Sequence, residues 1–416
     1  MHNKLLSPIG FSSEYTILNN ISYLSLLTIA FVFPFGISLL PYLLWLSGLA
    51  WLLEGKLILK TKNTFTNKIF LYYFVLFLVF YLLHLLSVFN STNSKEAWFD
   101  IQVKLALVVF PFIIFTSNDL IKKKTNNILI ALLAGTIIAV IICFLNSLFQ
   151  SFHLSDGHMV FRVHPGNQDW NNYFLADYFS IFHHPSYFAM FISLSIAIVF
   201  YLGFSKRDIV NLQRWQFILL LIFLSVALFL VSSRAGLIIW AMIIIYFFIN
   251  DLARRYTFNE KILSFLPFVL LAGVLLFILI NGKRFRVVAD EISAIEKDSQ
   301  KGECTGSSEI RVVMWGRALE IIKDNPLLGT GTGDVKDKLQ KNAEIEGYSI
   351  VKNRNFNVHN QYLETWMGIG VFGFVLLLLL LFIPLFFRSR HYLLPYLIII
   401  LSTSFLFESM LNRLAG

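Results

Sequence analysis

The sequence predicts an all-α integral membrane protein of about 11–12 transmembrane helices with one large, mainly helical loop on its outer side. Composition is the first reason: hydrophobic residues make up 57% of the 416-residue chain, charged residues 14%, and 43 residues are Phe. Mean hydropathy is +0.69. The second is pattern. Apolar runs near twenty residues recur, each long enough to cross roughly 30 Å of hydrocarbon as a helix. They lack the alternation of barrel strands, and only helices or closed barrels satisfy their backbone in lipid. The third is the placement of charge, which alternates from one interhelical loop to the next.

Spans are expected near 18–35, 37–54, 68–90, 101–116, 127–149, 184–204, 216–232, 235–250, 263–281, 362–387 and 392–409. One set of loops, with Lys4, then carries sixteen Lys and Arg, among them Lys122, Lys123, Lys124, Arg254, Arg255 and Lys261. The short loops opposite carry Lys95, Arg162 and Arg234. Positive loops stay in the cytoplasm, so the net charge of +9 reads as topology and not as a nucleic-acid footprint. The first twenty residues lack a cleavable signal pattern, and the first span is expected to serve as an uncleaved signal. The segments 150–183 and 282–361 and the Ser232-Ser233-Arg234 turn fall outside, which in a bacterium with two membranes is the periplasm. The organisation expected is a transmembrane bundle over 1–281, a periplasmic loop subdomain over 282–361 and C-terminal transmembrane helices over 362–416. Cys143 lies in a span and Cys304 in the loop, which argues against a disulfide and against a cysteine metal cluster.

The loop subdomain holds thirteen basic and twelve acidic residues, so it is near neutral. Lys283, Arg284 and Arg286 open it, in a position to meet lipid headgroups. Ser307 or Ser308 is placed to cap a helix from Glu309 to about Lys323, stopped by Asn325-Pro326. Arg311, Trp315, Ala318 and Ile322 share one face of it. The run Pro326-Leu327-Leu328-Gly329-Thr330-Gly331-Thr332-Gly333-Asp334 has glycines but no strand before it and no helix clearly opening on it, so a dinucleotide fingerprint is rejected in favour of a turn.

Three residues stand out chemically. Arg234 lies between two apolar spans; an arginine near hydrocarbon either snorkels as a helix-end marker or pairs with an anion, and its planar fork matches phosphate oxygens. Arg311 is either a surface arginine or a second phosphate ligand. His359 stands where the loop returns to the membrane; a lone histidine is often structural, but a neutral imidazole there is suited to accept a proton from a sugar hydroxyl. Glu364, one helical turn on, is placed to orient it. His183 and His184, ahead of Pro185, are rivals whose side chains either cap a helix or meet an acceptor. No Ser/His/Asp triad, HExxH, P-loop or paired-carboxylate signature stands out.

His359-Asn360, nine residues, Gly370, two residues and Gly373 reproduce the ligase motif of the O-antigen ligase and polymerase superfamily of bacterial membrane glycosyltransferases, which the chain resembles. Arg234 in Ser-Arg-Ala-Gly matches that family's arginine at the outer end of a span, and Arg311 that of its large periplasmic loop. Arg311…Trp315…Asn325-Pro326-Leu327-Leu328-Gly329-Thr330-Gly331 and His184-Pro185-Ser186-Tyr187 are similar to further family elements. One departure is that relatives usually finish with one more span, whereas this chain stops at Gly416.

The resemblance implies transfer of a glycan from undecaprenyl diphosphate to a lipid A-core acceptor at the periplasmic face of the inner membrane, inverting and without metal or other cofactor. His359 would be the catalytic base, and Arg234 and Arg311 would hold the diphosphate. His184, Asn360, Glu364 and Arg317 are the further possible substrate contacts. The partners implied are the lipid-linked donor, the acceptor and membrane lipids, with no nucleic acid. An O-antigen polymerase or a protein O-oligosaccharyltransferase are the alternatives within the superfamily. A transporter or flippase is the alternative from another class, and it would call for ionisable residues at mid-span.

Overall fold

The computed structural model describes residues 16–36, 40–55, 57–117, 119–155, 157–165, 172–205, 209–210, 212–252, 307–345, 357–387 and 391–412. The expected span 263–281, the basic opening Lys283-Arg284-Phe285-Arg286 and Cys304 lie outside these. The described helices are α1 (Ile17–Val32), α2 (Leu40–Leu53), α3 (Leu57–Phe65), α4 (Lys68–Ser87), α5 (Ser94–Lys104), α6 (Ala106–Phe115), α7 (Asp119–Lys123), α8 (Thr125–Gln150) and α9 (Ala176–Phe179). They continue with α10 (Pro185–Phe200), α11 (Arg214–Val231), α12 (Arg234–Phe247), α13 (Ser307–Asp324), α14 (Val335–Ile345), α15 (Gln361–Phe382) and α16 (Leu394–Phe407). A single antiparallel hairpin, β1 (Phe152–Ser155) and β2 (His158–Phe161), completes the described elements. The protein is an all-α integral membrane protein.

Among the described residues, seven stretches are long and apolar enough to cross a membrane: Ile17–Phe35, Lys68–Asn90, Ser94–Phe115, Thr125–Gln150, Pro185–Gly203, Arg214–Val231 and Gln361–Phe386. Leu40–Leu53, Arg234–Asn250 and Leu394–Phe407 are shorter apolar helices. Each coincides with an expected span. One differs in extent: the segment expected at 101–116 begins at Ser94, because Asn93 accepts a hydrogen bond from the Glu96 amide and starts a helix seven residues earlier. Polar Lys95, Glu96 and Asp100 hid that helix from a reading by hydropathy.

The chain forms two compact units, each assembled from separated segments. The first comprises Met1–Phe74 and Val109–Leu237. Its α10 is buried nearly all round, as expected of a helix apolar on every face. α8 meets α1 closely at Gly135, where an added Cβ would stand 2.0 Å from the Phe31 carbonyl oxygen.

The second unit comprises Val75–Val108 and Ile238–Gly416. In it α13 packs on α14 through Ile310, Met314, Ala318 and Ile321 against Val335, Leu339 and Ala343, with Val358 and Met367 in the same core. The buried stripe of α13 is turned slightly from the face expected and keeps Ala318 and Ile322 of it. Arg311 and Trp315 flank it, because the next element packs on the Ile310–Met314 side. The helix starts at Ser307, not Glu309, and ends before Asn325-Pro326 as expected.

The glycine-rich run is a structural joint. α15 is broken at Ile369 (φ −125°, ψ 15°) and Gly370 (φ 73°, ψ −172°). A helix broken at membrane depth must satisfy its freed backbone groups, and the run supplies the partners. Thr330 N donates to Met367 O (2.7 Å), Gly331 N to Gly368 O (3.1 Å), and Val371 N to Pro326 O (3.0 Å). The approach is too close for side chains: a Cβ on Gly370 would lie 2.0 Å from Leu327 O, and one on Gly329 2.6 Å from Gly370 N. At its other end Asp334 accepts from the amides of Thr92 and Asn93, placing a carboxylate at the N-terminus of α5.

Candidate active site

His359 and Asn360 open α15, and their local structure explains the residue types. Asn360 is the helix cap, its side chain accepting from Tyr362 N at 3.0 Å and Leu363 N at 3.1 Å. The preceding residue must turn sharply, and His359 takes φ = 51°, a left-handed conformation uncommon for a side-chain-bearing residue. Asn357 holds that turn by accepting the His359 amide at 3.1 Å. Two residues with such backbone strain adjoin the motifs picked from sequence, the other being Ser232 beside Arg234 (φ 53°).

The imidazole meets an acid that sequence reasoning passed over. Glu408 follows the last residue of α16 and is 2% exposed. One carboxylate oxygen lies 3.3 Å from His359 Nδ1 and the other 3.0 Å from Arg311 Nη2. Two of the three residues singled out from sequence therefore converge on one buried carboxylate, while their own side chains stay about one-fifth exposed. A carboxylate out of water is tolerable only when so paired. Arg311 Nε is buried and finds no hydrogen-bond partner among the described residues, so this guanidinium is not saturated. The only hint of Glu408 in the sequence is an acid directly after an apolar run; nothing local ties it to His359.

Glu364, expected to orient His359, is otherwise engaged. It accepts from Val358 N (3.3 Å), Ser409 Oγ (3.2 Å) and Asn412 Nδ2 (2.6 Å). It thus ties the residue before His359 to the residue after Glu408, and the carboxylate seen on the ring is that of Glu408. Arg317 pairs with Glu320 on its own helix at 2.9 Å.

The other basic residues belong to the first unit. Ser232 closes α11 in a left-handed turn, Ser233 Oγ accepts from Gly236 N at 3.3 Å, and Arg234 begins α12 exposed. Gly236 permits the following turn to lie on α10, since a Cβ there would sit 2.6 Å from Ala189 Cβ. His184 holds the N-cap position of α10 through its backbone, but its ring makes no capping bond and lies 6.5 Å from the Tyr187 ring, edge-on. His183 is set against the Phe33 carbonyl at 3.2 Å. Burial pushes its pKa below the ordinary value, with the carbonyl contact acting the other way. No group of three or more His, Cys, Asp or Glu arranged to hold a metal occurs among the described residues.

Apolar helices of membrane-spanning length, a helical subdomain stitched to the broken one among them, and a basic pair gathered on a buried acid define a polytopic membrane protein with a polar site at the end of its helices. Residues 217–378 match the family described as "O-Antigen ligase", and this segment is a domain of the O-antigen ligase and polymerase superfamily of membrane glycosyltransferases. The match runs from α11 into α15, spanning Arg234, Arg311, His359, Asn360, Gly370 and Gly373, and stops short of Glu408. An uncharacterized protein of Haemophilus influenzae is 32% identical over 112 residues, which is 26% of this chain and 27% of the relative. The similarity therefore spans about a quarter of that relative's length.

Proposed function

We propose that the protein transfers a glycan from undecaprenyl diphosphate to the lipid A core, at the periplasmic face of the inner membrane. The observation that carries this reading is the convergence of His359 and Arg311 on Glu408. With Nδ1–H donated to Glu408, Nε2 carries the lone pair, the arrangement in which an acid fixes the tautomer and aim of a histidine base. The acceptor hydroxyl loses its proton to Nε2 as its oxygen attacks the anomeric carbon from the side opposite the diphosphate. The C–O bond to the diphosphate breaks, the configuration inverts, and undecaprenyl diphosphate leaves with the bonding pair. Arg311 and Arg234 are assigned to the charge that grows on its oxygens, where fixed cations act most strongly. The imidazolium then returns its proton to solvent.

Polymerisation of two carrier-linked units and glycosylation of a protein hydroxyl use the same donor chemistry and differ only in the acceptor. The test is reconstitution in liposomes with lipid-linked glycan and, separately, core lipid, a second carrier-linked unit or a Ser/Thr peptide. Product with core lipid alone supports the ligase reading. Product only with one of the other acceptors replaces it, and no release of undecaprenyl diphosphate with any of the three rejects glycan transfer.

A further inference from the structure

Lys104 is the last residue of α5, inside the apolar stretch Ser94–Phe115, and is 3% exposed. An ammonium in such a segment persists only with partners, and it marks a functional position more often than not. Lys104 Nζ is bonded to Asp100 one turn earlier and to Asn412 Oδ1 at 2.9 Å. Asn412 Nδ2 in turn donates to Glu364 Oε1 at 2.6 Å. The ammonium only donates and the carboxylate only accepts, so the amide between them has one orientation that satisfies both.

The chain of contacts does not stop at Glu364. Its other oxygen takes the Val358 amide and the Ser409 hydroxyl, which adjoin His359 and Glu408 in the chain. Gln361 Oε1 accepts from Leu411 N at 2.8 Å and ties the same two segments a second time. A small polar pocket opens among these groups, lined by His84, Asp100, Lys104, Gln361, Glu364 and Asn412. If burial stability were all that mattered, apolar side chains of similar volume would serve as well as an ion pair. What this arrangement adds is a fixed spacing between two segments that have no covalent reason to be in register.

We propose that Lys104 is a positioning residue: acting through Asn412 and Glu364, it sets the distance between the Glu408 carboxylate and the His359 ring. The inference rests on the reading of His359 as the base, and its first test is independent of substrate. The full-length protein in nanodiscs is treated with diethyl pyrocarbonate, and carbethoxylation of each histidine is followed by peptide mass spectrometry. Glu408→Gln releases the ring directly and should raise the His359 rate severalfold. Asn412→Ala and Lys104→Met should raise it by a similar factor, with no further rise when combined with Glu408→Gln. His158, exposed on the hairpin of the first unit, should react at the wild-type rate throughout.

Asn412→Ala keeps the Lys104–Asp100 pair, so it decides the matter even where Lys104→Met does not insert. In turnover with an active donor and acceptor, Asn412→Ala should lower kcat roughly ten- to a hundredfold, leave the donor KM unchanged, and add nothing in the Glu408→Gln background. A His359 rate unchanged in Asn412→Ala or in Glu408→Gln overturns the proposal. So does a loss of kcat that multiplies with that of Glu408→Gln, since that is the mark of general destabilisation. Normal turnover of His359→Ala would instead sink the base assignment, whatever the labelling shows.

Discussion

Two regions of this molecule present basic residues at the ends of apolar helices, and they use them differently. Around α15 and α16 a histidine and an arginine are drawn onto a buried carboxylate, so ring and guanidinium are both aimed. Around α10 and α12 the histidine faces a backbone carbonyl and is discouraged from charging by burial, while Arg234 emerges exposed from a serine-rich turn. Residue type and position in the sequence were alike in the two places. The Glu408 carboxylate is what aims the first pair, because a neutral carbonyl such as the one facing His183 can orient an imidazole but does little to stabilise it once protonated.

The comparison breaks most directly at the three histidines. His359→Ala should lower turnover by roughly 10²–10⁴-fold with donor binding retained, the usual loss of a general base. His183→Ala and His184→Ala should be much milder. Steady-state kinetics on the three variants decide it, and a His183 variant as damaged as His359→Ala would erase the distinction.

The two arginines give the next largest contrast. Arg234→Ala and Arg311→Ala should each impair transfer, by about 1.5–3 kcal/mol for a lost charge-assisted contact. Arg311→Ala should also lower thermal stability in the absence of substrate, because it strips a partner from buried Glu408. Lysine should rescue either only in part, since it keeps the charge without the fork. Thermal unfolding in detergent checks this; an unaltered melting temperature in Arg311→Ala would contradict the buried pairing with Glu408.

The backbone of the α15 end can be probed without touching a charge. Gly370→Ala meets both a left-handed φ and a carbonyl 2.0 Å from the new Cβ, and should unseat the glycine-rich joint at a cost of about 1–3 kcal/mol. Asn360→Ala, which removes only the cap, should cost about 0.5–2 kcal/mol. An Asn360→Ala protein less stable than Gly370→Ala would mean that the cap and not the joint secures this helix.

The smallest effect expected is a pH dependence of the first unit. His183 has a folded-state pKa below its unfolded value of about 6.5, so the unfolded chain binds the proton better. The stability this histidine contributes is complete above that value and declines as pH falls below it, levelling off beneath the depressed folded pKa. His183→Gln should flatten that decline in melting curves between neutral and acidic pH. An unaltered decline in the variant would place its origin in another group.

The amino-acid sequence by itself determined the membrane class, ten of the described apolar helices, the stop of α13 at Asn325-Pro326 and the capped, glycine-interrupted start of α15. These depend on neighbours in the chain: an apolar run partitions into lipid on its own account, an asparagine caps the amides two and three residues on, and a glycine permits a kink where it stands. The start of α5 escaped because its first turns are polar, and the buried face of α13 because a helix does not record which side its neighbour will take. The partnership of His359 with Glu408 joins residues 49 apart, and that of Arg311 with Glu408 residues 97 apart. Lys104 and Asn412 are 308 apart. Only the tertiary structure decided those pairs, because which acid a buried cation meets is fixed by how helices pack, and a lone sequence holds no local trace of that choice.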